Sequence, residues 1–198
     1  MRINNGALER SNVEVTRRDL CYGALRQGGE VAAIVLIATA LQAVIGRRWL
    51  GSHSACWLVA VAAALKTSFF FIENLQQILQ ATAKDIPYHK FMALMLVNMG
   101  QIILSFGLDY WCLMTANPDS VSTFNPAFTQ PELVFECLYF SFLNFSFFGY
   151  GDSTPQTIPA KLVTMMELLL AFFTVIFLLS DFISLKDSLR PPRKPQSN

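Results

Sequence analysis

Charged residues are scarce in this sequence, at 15% of its 198 residues, whereas a soluble domain carries roughly 25%. Neither sign dominates, because 15 lysines and arginines accompany 14 aspartates and glutamates, and this balance excludes a strongly basic surface for nucleic acid. The four cysteines form no closely spaced pair, which argues against a disulfide scaffold or a structural zinc site. The mean hydropathy of +0.40 and the 17 phenylalanines instead predict a membrane protein.

Four long apolar runs predict transmembrane helices. A helix needs about 20 mostly apolar residues to cross a hydrocarbon core of roughly 30 Å, and the runs cover residues 31–46, 54–72, 91–114 and 160–185. A fifth apolar block, 133–148, is too short to span and is predicted to be a re-entrant or buried segment.

One lysine, Lys66, interrupts the second run. Buried charges are usually paired, so Lys66 is expected to form a structural ion pair rather than to act directly in gating or transport. The sequence offers three acidic partners, namely Glu73, Asp109 and Glu167.

The basic residues predict the orientation of the chain. They are concentrated in the first 27 residues, in the loop between the second and third runs, and after the fourth run. Since basic loops favour the cytoplasmic side, both termini are expected in the cytoplasm. No apolar h-region precedes the first run, so no cleavable signal peptide is expected. A bacterial inner membrane is favoured over other cell membranes.

The most specific pattern of the chain lies in residues 136–185. A short helix is predicted to begin near Pro131 and Glu132, because proline suits the first helical turn and an acid suits the positive end of the helix dipole. The sequence Gly-Tyr-Gly-Asp follows at 149–152, then Pro155, then the fourth apolar run. The two glycines permit backbone angles that let successive carbonyl oxygens face one axis. Such irregular backbone is tolerated at membrane depth where it is buried or lines a water-filled path.

This pattern resembles the pore region of tetrameric potassium channels, in particular the small prokaryotic ones. Tyr139, Phe140 and Ser141 match the start of the family's pore helix, and residues 149–152 with Pro155 match the selectivity filter and its exit. The resemblance implies an all-α membrane protein with four transmembrane helices, plus a re-entrant pore helix and a selectivity-filter loop before the last helix. It also implies a homotetramer in the lipid bilayer, because each chain supplies one of the four pore loops that close a ring.

The resemblance also implies a division of the chain into segments. A cytoplasmic polar tail is followed by a peripheral transmembrane hairpin with its cytoplasmic loop, by a pore domain made of outer helix, pore helix, filter and inner helix, and by a basic, proline-rich cytoplasmic tail. Their bounds are 1–27, 28–90, 91–185 and 186–198.

The resemblance further implies the residues of an ion-conduction site. The backbone carbonyls of the filter would bind K⁺ as the permeant ion, and no cofactor or other metal is expected. The filter residues would be Phe147, Phe148, Gly149, Tyr150 and Gly151.

Other residues are assigned to the surroundings of the filter by the same resemblance. Asp152 and Tyr139 would support the filter, with the tyrosine hydroxyl as the hydrogen-bonding group. Phe172 and Val175 would line the inner cavity, and Asp181 would either attract cations at its entrance or be an acid at the helix end in the membrane interface.

The filter differs from the family's Thr-Val-Gly-Tyr-Gly at its first two positions. Phe147 lacks the hydroxyl that the family's threonine supplies to the innermost ion site, and Phe148 is expected to point away from the axis and to pack against the pore helix. Ala171 stands where the family has a hinge glycine. These differences leave the selectivity of the pore open.

Two functions therefore remain open. The first is a potassium channel-like, pore-forming subunit that conducts cations passively. The second is a non-conducting, channel-like membrane protein with a regulatory or structural role. An enzyme is not expected, because the sequence has no Ser/His/Asp set, no paired histidines and no phosphate-binding loop. The sequence identifies neither a soluble partner nor a gating stimulus.

Overall fold

The computed structural model describes residues 28–47, 51–83, 88–122, 129–149 and 153–188. Within these ranges the chain is helical apart from short turns and an isolated β-bridge, with no strand. The helices are α1 (Gly28–Gly46), α2 (Ser52–Ala83), α3 (Tyr88–Ala116), α4 (Gln130–Phe145) and α5 (Ile158–Ser188), and a short 3₁₀ helix (Pro118–Ser120) follows α3. The predicted N-terminal tail and most of the predicted C-terminal tail lie outside the described residues.

The chain divides into two compact units, Met1–Ala40 and Leu41–Asn198. In the first unit the structure describes residues 28–40, which form most of α1. The second unit contains the end of α1, the helices α2 to α5 and the candidate functional site.

Four helices in the described part of the chain are long and apolar enough to cross a membrane. Their spanning segments are Gly28–Gly46, Ser52–Gln76, Met92–Ala116 and Ile158–Leu179. Large aliphatic side chains such as Leu36, Leu65 and Leu96 are exposed on these helices, as expected for a chain whose solvent is lipid. The predicted all-α membrane fold with four spanning helices is confirmed. Helix α4, with 16 residues, is too short to cross a bilayer and precedes the last helix, as expected.

Helix α4 begins where its local signals predict. Pro131 lies in the first turn, and a carboxylate oxygen of Glu132 accepts hydrogen bonds from the backbone N–H of Thr129 (2.7 Å) and from its hydroxyl (2.8 Å). These bonds, the backbone one first, lower the pKa of the Glu132 carboxyl. The bonds and the favourable dipole position fix the start of the helix.

Helix α3 passes α4 at a close approach that requires glycine. A Cβ atom at Gly107 would lie 2.6 Å from Cδ2 of Leu138 and 3.0 Å from its Cα. A new rotamer of Leu138 can relieve the contact with Cδ2, but the contact with Cα is backbone, so α3 and α4 would have to move apart by a few tenths of an ångström. Nearby, the rings of Tyr110 and Phe140 pack edge to face with centroids 4.8 Å apart. Gly107 therefore sets how closely the predicted pore helix lies against α3.

We expect Gly107→Ala to destabilise the protein by about 2 kcal/mol, in the range of other overpacking substitutions. Thermal unfolding in detergent micelles measures the effect. Gly100→Ala is the matched control, because it lies on the same helix with no atom within 4 Å of the added carbon, and its better helix propensity should leave stability equal or slightly higher. Equal unfolding temperatures for both variants would contradict the packing argument.

Candidate functional site

Helix α4 ends in a tight C-terminal turn at the start of the predicted filter. The N–H of Phe147 donates to the carbonyl oxygen of Asn144 (3.1 Å), and the N–H of Phe148 donates to the carbonyl oxygen of Leu143 (3.1 Å). Together these bonds form the Schellman motif that commonly closes a helix. Two carbonyls at the end of α4 thus have partners, which matters because unpaired backbone groups are costly in a membrane.

A phenylalanine occupies the left-handed position of this turn. Phe147 has φ 58°, a conformation that a Schellman motif usually assigns to glycine and that costs a residue with a Cβ roughly 1–2 kcal/mol. The side chains of Phe147 and Phe148 are 49% and 82% exposed. Within one chain the Phe148 ring is therefore largely uncovered, and its packing against a pore helix stays a prediction.

The next filter residue, Gly149, has φ 89°, which confirms that a glycine is needed there. The predicted filter residues Tyr150 and Gly151, and the predicted support Asp152, lie outside the described residues. Of the predicted filter, the structure therefore places residues 147–149.

The segment that leaves the predicted filter is attached to the loop after α3. Val121 and Pro155 form an antiparallel β-bridge, and the N–H of Ser122 donates to the carbonyl oxygen of Thr154 (2.8 Å). On the other side of the bridge, the N–H of Gln156 donates to the carbonyl oxygen of Ser120 (2.8 Å). Residues 150–152 are therefore bracketed by the C-terminal turn of α4 on one side and by this bridge on the other.

A buried carboxylate lies behind α4. Glu167 of α5 is 0% exposed and receives hydrogen bonds from the hydroxyl of Ser141, from the hydroxyl of Tyr110 (2.7 Å) and from the side-chain amide of Asn144 (3.3 Å). The tyrosine hydroxyl also lies 3.1 Å from that of Thr164. Helices α3, α4 and α5 therefore meet at one carboxylate. We call Glu167, Ser141, Tyr110, Asn144 and Thr164 the Glu167 cluster.

The sequence did not reveal this cluster. The sequence indicates Glu167 only as a candidate partner for Lys66, and Ser141 only as a match to the pore-helix start. The available signal was an acid within the most apolar run, since an intramembrane carboxylate requires hydrogen-bonding or charged partners. Its partners lie on two other helices, at separations in sequence that no periodicity connects.

The remaining predicted site residues are placed as follows. Tyr139 lies on α4 with its side chain 51% exposed, Phe172 is 53% exposed on α5, and Val175 is half-buried. Asp181 lies in α5, but its side chain is outside the described part. Helix α5 continues without a break through the buried Ala171. The filter-supporting role of Tyr139 and the cavity-lining roles of the other three stay predictions.

The intramembrane lysine forms an ion pair, with one of its three candidate partners. Lys66 Nζ of α2 lies 2.5 Å from Oδ1 of Asp109 of α3. The aspartate side chain is 1% exposed and that of the lysine 12%. The pair connects α2 to the helix that passes behind α4.

A second polar contact joins α2 to α5. The side-chain amide of Asn98 of α3 donates to the side-chain oxygen of Asn74 of α2, whose own amide donates to the hydroxyl of Thr174 of α5 (3.2 Å). Close by, the rings of Phe71 and Phe173 pack edge to face with centroids 5.2 Å apart. Helix α2, predicted as part of a peripheral hairpin, therefore packs directly on the predicted inner helix.

In the described ranges, no group of three or more His, Cys, Asp or Glu side chains is arranged to hold a metal ion.

The observed arrangement is that of a multi-pass membrane protein in which a short helix and an irregular loop precede the last spanning helix. Residues 92–186, a little under half of the chain, match a protein family described as "Ion channel". This match confirms the resemblance to an ion-channel pore domain and supports a pore-forming role rather than an enzymatic one. No curated protein and no solved structure shows significant similarity to the chain.

We expect Lys66→Met to destabilise the protein by about 3 kcal/mol, because it leaves the buried Asp109 without its counter-ion. The double variant Lys66→Met/Asp109→Leu should recover most of that loss, since removal of both charges leaves no uncompensated carboxylate. Unfolding measurements on wild type, both single variants and the double variant form a double-mutant cycle. Additive losses in the double variant would show that the two side chains do not interact.

Proposed function

We propose that the chain is the pore-forming subunit of a tetrameric cation channel that conducts K⁺ passively through a ring of backbone carbonyls. The filter is formed by Phe147, Phe148, Gly149, Tyr150 and Gly151, with one loop from each of four identical chains. Both termini face the cytoplasm, following the distribution of basic residues. Tyr139 and Asp152 support the filter, and Phe172, Val175 and Asp181 lie along the inner cavity and its entrance.

The observation that carries this proposal is the bracketed loop. The C-terminal turn of α4 fixes the chain up to Gly149, and the Val121–Pro155 bridge fixes it again a few residues later. Anchoring at both ends supports a loop whose carbonyls can be held towards an axis, which is what a carbonyl filter requires. The match of residues 92–186 to an ion-channel family supports the same interpretation.

A second candidate function is a channel-like subunit that does not conduct. The left-handed turn at Phe147 favours it. The N–H groups of Phe147 and Phe148 are hydrogen-bonded to carbonyl oxygens of α4, so the first two filter residues form part of the helix end. Both rings are also exposed, and four copies would place eight bulky rings near the start of the filter. In this alternative the protein regulates or supports a partner.

Ion flux into liposomes that contain the full-length purified protein separates the two functions. Potassium flux well above sodium flux is the expected result, with empty liposomes as the background. Equal fluxes would indicate a widened, non-selective pore. The absence of flux from a tetramer, verified by its mass in the same preparation, would favour the non-conducting subunit.

The double variant Phe147→Thr/Phe148→Val tests the role of the two rings. Threonine is branched at Cβ and is disfavoured at the φ of 58° seen at this position, so the turn should leave the left-handed conformation. The variant also restores the hydroxyl found in the family. We expect the ratio of potassium to sodium flux to rise about tenfold, equivalent to about 1.4 kcal/mol of differential ion binding.

Phe142→Val is the matched control, because Phe142 is an exposed phenylalanine on α4 outside the predicted filter. It should leave the flux ratio at the wild-type value. A double variant with an unchanged ratio would show that Phe147 and Phe148 do not determine selectivity.

A further inference from the structure

The Glu167 cluster has no part in the function proposed above, although it lies directly behind α4. Glu167 and Tyr110 are both 0% exposed, and Asn144 is 1% exposed. A buried carboxylate is costly unless hydrogen bonds satisfy it. This one has three hydrogen-bonding side chains from two helices, so its position is defined from several directions.

The cluster is connected to the start of the predicted filter through one residue. Asn144 donates its side-chain amide to Glu167 (3.3 Å), while its backbone carbonyl accepts the N–H of Phe147 (3.1 Å). Ser141 lies one turn earlier on α4, and its hydroxyl donates to the same carboxylate. Glu167 therefore contacts the last two turns of α4, of which the second leads directly into the left-handed Phe147.

Charge alone does not explain a carboxylate at this place. The C-terminal end of a helix carries partial negative charge, which disfavours an acid beside it. Lys66 of α2, the lysine that interrupts the second apolar run, pairs with Asp109. What the site offers instead is hydrogen-bond geometry from α3 and α4.

The two hydroxyls that donate to Glu167, those of Ser141 and Tyr110, each have a second acceptor. Ser141 Oγ lies 3.0 Å from the carbonyl oxygen of Ile103, and Tyr110 Oη lies 3.1 Å from Thr164 Oγ1. Each hydroxyl has one proton to donate. A glutamine at 167 therefore fits the same cage: its nitrogen would donate to Ser141, whose proton turns to Ile103, and its oxygen would accept from Tyr110 and Asn144.

We propose that Glu167 is a positioning residue that fixes the end of α4, and through Asn144 the turn at Phe147 and Phe148, relative to α3 and α5. It acts through hydrogen-bond geometry rather than through its charge. Its effect on selectivity rests on the proposed conduction through residues 147–151, whereas its effect on the turn does not.

The test compares three variants of the full chain in lipid nanodiscs and liposomes. Glu167→Leu removes all the hydrogen bonds, and Glu167→Gln keeps them without the charge. Thr174→Val is the matched control, because Thr174 is an equally buried residue of α5 that loses one interhelical bond, the one from Asn74. The first readout is amide hydrogen exchange at Phe147 and Phe148, whose N–H groups are bonded to α4. The second is the ratio of potassium to sodium flux.

In Glu167→Leu we expect exchange at these two amides to be about tenfold faster, which corresponds to the loss of about one hydrogen bond. The flux ratio should fall by a similar factor. Glu167→Gln should stay within about twofold of wild type in both readouts, and Thr174→Val should change neither, even if the whole protein is less stable.

The outcomes separate this inference from the proposed function. If amide exchange is faster in Glu167→Leu and the wild type does not conduct ions, the positioning role is upheld and the proposed channel function is overturned. Unchanged exchange and flux ratio in a conducting protein would overturn the positioning role alone. Faster exchange together with a lower flux ratio in Glu167→Gln would show that the charge of Glu167 matters and would also overturn the inference. If Glu167→Leu does not fold, Tyr110→Phe removes one donor to the carboxylate and should give a smaller acceleration in the same direction.

Discussion

The structure depends on how α4 ends. A helix that stops within a membrane leaves carbonyl groups that neither water nor the helix itself can satisfy. Here the N–H groups of Phe147 and Phe148 return to Asn144 and Leu143, and this turn sets the direction in which the chain leaves the helix. The next contact that the structure describes after this turn is the bridge at Pro155. The Glu167 cluster matters because it fixes the same turn from behind, through the side chain of Asn144.

The position of α4 is set by two contacts of different kinds, one steric and one polar. Gly107 permits α3 to approach α4 more closely than a residue with a Cβ could without a shift of Leu138, while Glu167 attaches α4 to α5 by hydrogen bonds. Apolar packing alone specifies depth and rotation poorly among helices surrounded by lipid, since lipid chains are as apolar as the side chains. The close glycine contact and the buried carboxylate supply that specificity. The same reasoning explains why α2 is joined to α3 and α5 by Lys66–Asp109 and Asn74–Thr174.

Some of this arrangement could be predicted from the sequence, and the reason differs from element to element. The spanning helices follow from the length of the apolar runs, and the start of α4 follows from Pro131 and Glu132, because both signals are local. The left-handed turn that closes α4 could not be predicted, since phenylalanine stands where such a turn normally takes glycine. For Lys66 three acids are candidate partners on sequence alone, and only the packing of α2 on α3 selects Asp109. Glu167 shows the same limit, because its partners lie on two other helices.

The left-handed phenylalanine connects the two candidate functions. A residue with a Cβ pays an energetic cost at a positive φ, and such strain persists only where surrounding contacts hold it. The contacts that hold Phe147 are the backbone bonds to α4 and, one step further, the Glu167 cluster. These contacts define the conformation of the turn, so it is an ordered part of the fold. In a conducting channel, the turn at Phe147 would substitute a fixed backbone geometry for the family's threonine hydroxyl. In a non-conducting subunit, the same turn would hold the phenylalanine rings where they obstruct the ion path. The same anchor serves either function, so in the proposed tetramer the choice between them depends on where the rings lie relative to the axis.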